Sequence, residues 1–324
     1  MKPFESFLAP QLEEYITYRQ SLGYAKNPLL SYLKILDRYV KSRNIDQQTL
    51  QPFFFLEFRS NLAVEARTVN RILSSTRVFF QYLLRRGLYT QNPLQDVPPL
   101  RENAIVPFVF SPEQVDQLLS ALCKGIRKDR THFLTDMAIY VALLLLARCG
   151  MRISEPLRLL TSHYRPDDGT IYIEKTKFKK DRLIPVPKVV LPEIENYLAV
   201  RKSLNLDDQN PYLLAGLKQR ALRDYQIRSV FHKAVREIGL SQQRQIIDNV
   251  NFSAPTPHSL RHSFAVNTLK RIKDRGKSPQ NALPVLAVYM GHSEYRHTIK
   301  YLKVIDTRQR QGMVEFITSH QGKR

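Results

Sequence analysis

The chain has 324 residues, with 50 lysines and arginines against 29 aspartates and glutamates, and a formal net charge of +21. This length can hold two domains with substantial cores, and the charge favours a polyanionic partner. Nucleic acid is preferred over an anionic membrane surface, because no basic cluster flanks an amphipathic or lipid-anchoring segment. The composition excludes a disulfide framework, and Glu5 interrupts any signal peptide. The longest apolar run, 137–147, is too short to span a bilayer, so we expect a cytoplasmic protein.

Residues 1–100 carry apolar side chains at helical spacing in four segments, which predicts that this part of the chain is helical. The four segments are 7–18, 29–40, 53–62 and 69–84. Basic residues recur on their polar sides, where each one alone is typical of a solvated helix face but together they could follow a DNA backbone. These residues are Arg19, Lys26, Lys34, Arg38, Lys41, Arg43, Arg67, Arg71, Arg77, Arg85 and Arg86.

A proline-rich stretch without periodicity predicts an extended linker at residues 92–108, between a first domain at 1–91 and a second at 109–324. The second domain begins with Ser111 and Gln114, which form a capping-box pattern with proline at the first helical position.

The apolar helix predicted over 133–147 ends at Gly150 and places Arg152 at a helix junction beside Glu155. Taken alone, this pattern favours a structural Arg–Glu pair. Residues 170–177 then alternate at period two and 182–187 return, which predicts the one clear β-hairpin of the chain.

Thr256 and a following proline predict the start of a helix that carries His258 and Arg261 on one face, one turn apart. Arginine binds two phosphate oxygens with a planar fork, and histidine moves protons near neutral pH. A helix start also favours an anion. A zinc site at His258 and His262 is disfavoured, because a zincin requires glutamate directly after the first histidine.

Four motifs in this order resemble the signature of the tyrosine recombinases, also called the phage integrase family. They are Arg148-Cys-Gly-Met-Arg152-Ile-Ser-Glu155, His258-Ser-Leu-Arg261-His262-Ser-Phe-Ala265, Gly291-His292, and Tyr301 nine positions after His292. The resemblance implies a mainly α (α+β) protein, with a helical core-binding domain that clamps the duplex. It also implies a mostly helical catalytic domain with a small antiparallel β-sheet.

The resemblance also implies a mechanism that uses no cofactor and no metal. The expected catalytic residues are Arg152, Lys177, His258, Arg261, His292 and Tyr301. Tyr301 would attack the phosphate and the two arginines would clamp it. His258 would accept or hold the proton of the nucleophile, and His292 would bind a phosphate oxygen. A hairpin lysine would protonate the leaving oxygen; counting back from the return strand favours Lys177, but alternation leaves Lys175 open.

Two other phenols lie near the nucleophile. Tyr289 lies in an apolar run that predicts a core position, and Tyr295, in a predicted turn, is the alternative nucleophile.

We therefore expect a site-specific DNA recombinase of the integrase or transposase type that acts on double-stranded DNA as a homotetramer on two sites, with accessory DNA-bending proteins left open. The alternatives are a type IB-like topoisomerase and a non-catalytic DNA-binding protein of the same fold. A basic loop at 270–280 lengthens the interval before Gly291, and an amphipathic helix predicted over 306–318 would pack on its own or a neighbouring protomer.

Overall fold

A computed structural model of the chain describes residues 3–24, 26–46, 50–174, 181–204, 209–216, 220–292 and 294–302. The chain forms two compact units, Met1–Ala104 and Ile105–Arg324. Helices predominate in both, and the β-sheets are small and antiparallel where their pairing is defined. The predicted fold class is therefore confirmed.

The described residues of the first unit form a bundle of four helices in the predicted places. They are α1 (Ala9–Ser21), α2 (Lys26–Arg43), α3 (Pro52–Ser60) and α4 (Ala66–Arg85). The apolar residues of α4 recur every three or four positions and are buried, as in Ile72, Phe79 and Leu83. This spacing places them on one stripe of the helix, which packs against α1 and α2.

The first residues of the predicted linker pack against the first unit. Arg77 donates hydrogen bonds to the carbonyls of Leu94 (3.1 Å) and Val97 (2.8 Å), and both of these residues are buried. Arg77, which the sequence grouped with basic residues that could follow DNA, therefore satisfies backbone carbonyls of its own unit. The proline-rich composition predicted extended backbone, but residues 93–96 form a turn in which the Gln95 N–H donates to the Asn92 carbonyl at 3.0 Å.

The second unit is built around α6 (Phe133–Arg148), whose residues Ala138–Leu146 are nearly all buried. Helices α5, α7, α8 and α9 cover it on all sides, which explains its continuous apolar sequence. The capping box predicted at Ser111 is confirmed at the start of α5. The helices of this unit are α5 (Pro112–Lys124), α6, α7 (Leu191–Leu204), α8 (Asp224–Glu237), α9 (Pro257–Asp274) and α10 (Pro279–Met290), and residues 296–302 are also helical.

The strands of the described residues form three small sheets, in the orders β1-β8-β7, β2-β3-β4 and β5-β6. The predicted hairpin is present as β3 and β4, where Ile173 pairs with Arg182 and Thr170 with Pro185. The strands are β1 (Ala104–Val106), β2 (Tyr164–Arg165), β3 (Thr170–Ile173), β4 (Arg182–Pro185), β5 (Ala215–Gly216), β6 (Arg220–Ala221), β7 (Gln245–Ile247) and β8 (Val250–Phe252).

Much of the segment predicted as a basic loop at 270–280 is helical. Helix α9 continues to Asp274 and α10 begins at Pro279, so the connection is only residues 275–278. Leu269, on the same helix, is buried against α10, and this packing extends α9 beyond what local composition indicated. Residues 175–180, with both candidate lysines, and the helix predicted over 306–318 lie outside the described residues. Within the part of the chain that the structure describes, no helix is long and apolar enough to cross a membrane.

Candidate active site

Arg261 anchors the site from within the core of the second unit. It is 1 % exposed, and its terminal nitrogens donate to the carbonyls of Gly150 (2.6 Å) and Met290 (2.5 Å). Burial, and next the charge of Arg152, lower its pKa to about 10. The guanidinium therefore stays charged at neutral pH and ties three chain segments together.

Arg152, Glu155 and Arg182 form a row of charges beside it. Arg152 donates to Glu155 Oε1 (2.9 Å) and to the Gly291 carbonyl (2.7 Å), and its side chain keeps 21 % exposure. Arg182 donates hydrogen bonds to both oxygens of the same carboxylate, at 3.1 and 2.9 Å, and its Nε donates to the Tyr289 carbonyl (2.8 Å). Burial opposes ionisation of Glu155, but the hydrogen bonds and charge of Arg182 hold the pKa of that carboxyl below its usual range.

Two glycines allow these contacts. Gly150 has φ +59°, and a Cβ there would lie 2.4 Å from Phe264. Gly291 ends α10 with φ +64°, and a Cβ there would lie 3.0 Å from the Arg182 guanidinium. Left-handed backbone and close approach both require glycine at these positions, and each lies one or two residues from a predicted site residue.

Tyr301 projects from the helical residues 296–302 into an apolar cluster of α9 and α10 and is 5 % exposed. Its hydroxyl lies 3.2 Å from Nδ1 of His262, and its ring stacks on His292 with centroids 6.1 Å apart. Burial raises the pKa of the phenol, whereas the nearby charges of Arg261 and Arg152 act in the opposite direction. Tyr301 is therefore a protonated phenol beside two guanidinium groups.

The histidines around Tyr301 are held in their neutral form. Burial, then the charge of His258 and of Arg261, lower the pKa of His262 to about 3. Burial and the charge of Arg261 likewise lower the pKa of His292 to about 3, and its Nδ1 lies 2.7 Å from the Thr298 hydroxyl.

His258 packs edge-on against His262, with ring centroids 4.6 Å apart. Desolvation by the surrounding side chains, then the charges of Arg261 and Arg152, lower its pKa. His258 is exposed, and solvent therefore screens these charges.

The structure brings together five of the six predicted residues, Arg152, His258, Arg261, His292 and Tyr301; Lys177 lies outside the described residues. Three residues of the site were not among the predicted catalytic residues: His262, which contacts Tyr301; Arg182, which contacts Glu155; and Thr298, which contacts His292. The spacing of His258 and His262 had predicted a shared helix face, with a zinc site there disfavoured, but it did not indicate that His262 lies beside Tyr301. Among the described residues, no group of three or more His, Cys, Asp or Glu side chains is placed to hold a metal ion.

Comparison with known proteins agrees with this geometry. The model of the phage integrase family matches residues 109–308, and that of the phage integrase N-terminal SAM-like domain matches residues 13–87. The putative integrase/recombinase y4rE of Sinorhizobium fredii is 28 % identical over 305 residues, which cover 93 % of each chain. Tyrosine recombinase XerA of Pyrococcus furiosus is 25 % identical over 293 residues, covering 90 % of this chain and 89 % of the relative.

Solved structures share the fold. The XerH site-specific recombinase in a post-cleavage complex with a palindromic difH substrate superposes with a TM-score of 0.69 at 18 % identity, covering 94 % of this chain and 83 % of that one. A lambda integrase tetramer bound to a Holliday junction superposes with a TM-score of 0.62 at 16 % identity, covering 89 % and 77 %. The chain therefore belongs to the phage integrase family, and it is a tyrosine recombinase, an enzyme of site-specific recombination.

Proposed function

We propose that this protein cuts and rejoins DNA strands at defined sites through a covalent bond between Tyr301 and a DNA phosphate. The observation that carries the proposal is the position of the Tyr301 hydroxyl. It lies 3.2 Å from Nδ1 of His262 on α9, and the positive charges of Arg261 and Arg152 act on it. A phenol buried only for packing has no need of two guanidinium groups and three histidines around it. The covalent link conserves the energy of the phosphodiester, so rejoining requires no nucleotide.

Charge stabilisation in this reaction falls to the arginines. Attack on phosphorus builds negative charge on the non-bridging oxygens, and positioned guanidinium groups stabilise it best where water is excluded. Arg152 is the more exposed of the two, and Glu155 fixes its orientation. Arg261 donates hydrogen bonds to the carbonyls of Gly150 and Met290, and its buried guanidinium supplies positive charge to the site.

The histidines complete the phosphate site in this proposal. His258 lies in the first turn of α9, where backbone N–H groups also favour an anion. A Thr298 hydroxyl that donates to Nδ1 of His292 keeps the hydrogen of that ring on Nε2, which can then donate to a phosphate oxygen.

A lysine of the β3–β4 hairpin protonates the leaving 5′ oxygen in this mechanism. Lys177 remains the preferred residue and Lys175 the alternative; neither lies in the described part of the chain. The support comes from the base of the hairpin. Arg182 begins β4 and shares Glu155 with Arg152, so the strand that follows these lysines is bonded to the site.

The partner is double-stranded DNA, and the first unit, which carries the basic helix faces, acts as the clamp. We propose a homotetramer on two DNA sites, which exchange between two duplexes requires and which the lambda integrase neighbour adopts on its junction. Integration, transposition and resolution of chromosome dimers use the same chemistry, and accessory DNA-bending proteins fit any of these roles.

The test is covalent capture. The protein is incubated without added metal with sheared DNA from the organism that encodes it, denatured, and the DNA that stays bound is sequenced. A duplex with the captured site and a nick just past the cleavage point then traps the intermediate. We expect an adduct with wild type and with Tyr295→Phe, whose phenol is exposed in a turn, and none with Tyr301→Phe. An adduct that survives in Tyr301→Phe and is lost in Tyr295→Phe would move the nucleophile.

A type IB-like topoisomerase, which nicks and reseals one duplex, would use the same residues. Two differently labelled duplexes with the captured site separate the two functions. Recombinant products identify the recombinase, whereas relaxation of supercoiled DNA without exchange would favour the topoisomerase.

A further inference from the structure

His262 has a position that the mechanism above leaves unused. It follows Arg261 on α9 and lies one turn beyond His258, so all three side chains belong to the first two turns of the same helix. Its Nδ1 is 3.2 Å from the Tyr301 hydroxyl, within reach of a proton transfer. His258, in contrast, reaches the phenol only through the ring of His262, which it meets edge-on at 4.6 Å.

We propose that His262 is a catalytic residue that accepts the phenolic proton of Tyr301 as the phosphate is attacked. This inference rests on the proposed function of Tyr301 as nucleophile. In the cleavage step the proton moves from the phenol oxygen to Nδ1 of His262 while the phenol oxygen bonds to phosphorus. The bond from phosphorus to the 5′ oxygen breaks, and that oxygen takes a proton from the hairpin lysine. In rejoining, the imidazolium of His262 returns its proton to the departing phenol.

The surroundings of His262 explain how such a base works only with substrate present. The titratable and charged groups facing it are His258 and Arg261 on α9, His292 after α10, and Tyr301 itself. In the free protein, burial and the positive neighbours hold the imidazole neutral and able to accept a hydrogen bond. A DNA phosphate bound to the arginines brings negative charge into the same space and lowers the cost of a positive imidazole. Proton acceptance is thereby coupled to the arrival of DNA.

The burial of Tyr301 strengthens the requirement for an internal base. The phenol is 5 % exposed and its pKa is raised, so bulk hydroxide reaches it poorly. A positioned base typically contributes about 10²–10⁴-fold to rate. Loss of His262 should therefore slow attack by about this factor without abolishing DNA binding.

The first test needs no DNA. Nitrogen-15 NMR of labelled histidine, assigned through His262→Asn, reports which ring nitrogen carries the hydrogen. We expect a neutral His262 at pH 7 with Nδ1 unprotonated. A hydrogen on Nδ1, donated to the phenol, would overturn the inference.

The second test measures single-turnover adduct formation on the captured nicked duplex. Asparagine can place a hydrogen-bonding atom near Nδ1 but cannot take a proton, so His262→Asn should keep the melting temperature and DNA affinity and lose about 10²–10⁴-fold in rate. The rate of His262→Asn should rise with pH. In His262→Gly, added imidazole should restore part of the lost rate. Equal rates for wild type and His262→Asn would overturn the inference while leaving the proposed function intact.

A substrate with sulfur in place of the bridging 5′ oxygen separates the base from the acid, because a thiolate leaves without a proton. This substrate should restore the rate of Lys177→Ala and not that of His262→Asn. Restoration of His262→Asn would place His262 on the leaving-group side and refute its role as a base. Absence of any adduct with wild type on either substrate would overturn the proposed function, and this inference with it.

Discussion

Arg182 provides the sharpest test of how the site is held together. Replacing it by alanine removes two hydrogen bonds to the buried carboxylate of Glu155 and one to the partly buried carbonyl of Tyr289. Breaking one partner of a buried ion pair costs about 3–5 kcal/mol, because the remaining charge stays desolvated. Here Arg152 still contacts the same carboxylate, which favours the lower end of that range.

We expect Arg182→Ala to lower the free energy of unfolding of the second unit by about 3–4 kcal/mol, once the unsatisfied Tyr289 carbonyl is included. For a unit of this size the melting temperature should fall by roughly 10 °C. The pKa of Glu155 should rise above its ordinary value, because burial then acts with less opposition.

The assay is thermal and urea unfolding of the full chain, with hydrogen–deuterium exchange of peptides from the second unit to separate it from the first. The matched control is Arg228→Ala, which removes an exposed pair with Asp224 at 2.9 Å and should cost less than about 1 kcal/mol. Equal losses in Arg182→Ala and Arg228→Ala would refute the argument from burial. Arg182→Lys keeps the charge without the planar fork and should fall between wild type and Arg182→Ala.

Two further predictions concern backbone and pH. Gly150→Ala adds a Cβ 2.4 Å from Phe264 at positive φ, and it should lower the free energy of unfolding by about 2–4 kcal/mol in thermal unfolding. The control is Gly276→Ala, also at positive φ but with nothing within 4 Å of the added Cβ, which should lower it by only about 1 kcal/mol. Equal losses in the two variants would contradict the packing argument. The pKa values of His262 and His292 are lowered to about 3, so the unfolded chain binds protons that the folded protein does not as pH falls from about 6.5 towards 3. The free energy of unfolding should therefore decrease as the pH is lowered through this window, by up to about 1.4 kcal/mol per pH unit for each histidine. Urea unfolding at pH 7 and at pH 5 should show a smaller decrease in His262→Asn than in wild type.

Local pattern was sufficient for much of the architecture. The helices of the first unit follow from apolar residues at helical spacing. The cap at Ser111 follows from a side chain that satisfies a free N–H group, and the start of α9 follows from proline at its first position. The hairpin follows from period-two alternation. These signals succeed because each depends on residues a few positions apart.

The same reasoning was weaker where tertiary contacts decide. Composition indicated a loop at 270–280, but packing against α10 carries α9 to Asp274. Composition also indicated an extended linker after residue 91, yet residues 93–96 form a turn and Arg77 donates hydrogen bonds to the carbonyls of Leu94 and Val97. In both places the deciding energy comes from residues distant in sequence.

The sequence by itself determined the family and the order of the candidate site residues, because the motifs at Arg152, at Arg261 and at Tyr301 are short and local. Only the tertiary structure decided what holds them. Arg182 meets Glu155 across 27 positions, and His262 meets Tyr301 across 39. Neither pairing has a local sequence signature. The free-energy cost of burying a charge or a phenol is offset by whichever hydrogen-bonding partner the fold brings near it. That partner becomes known only once α9, α10 and β4 are packed together.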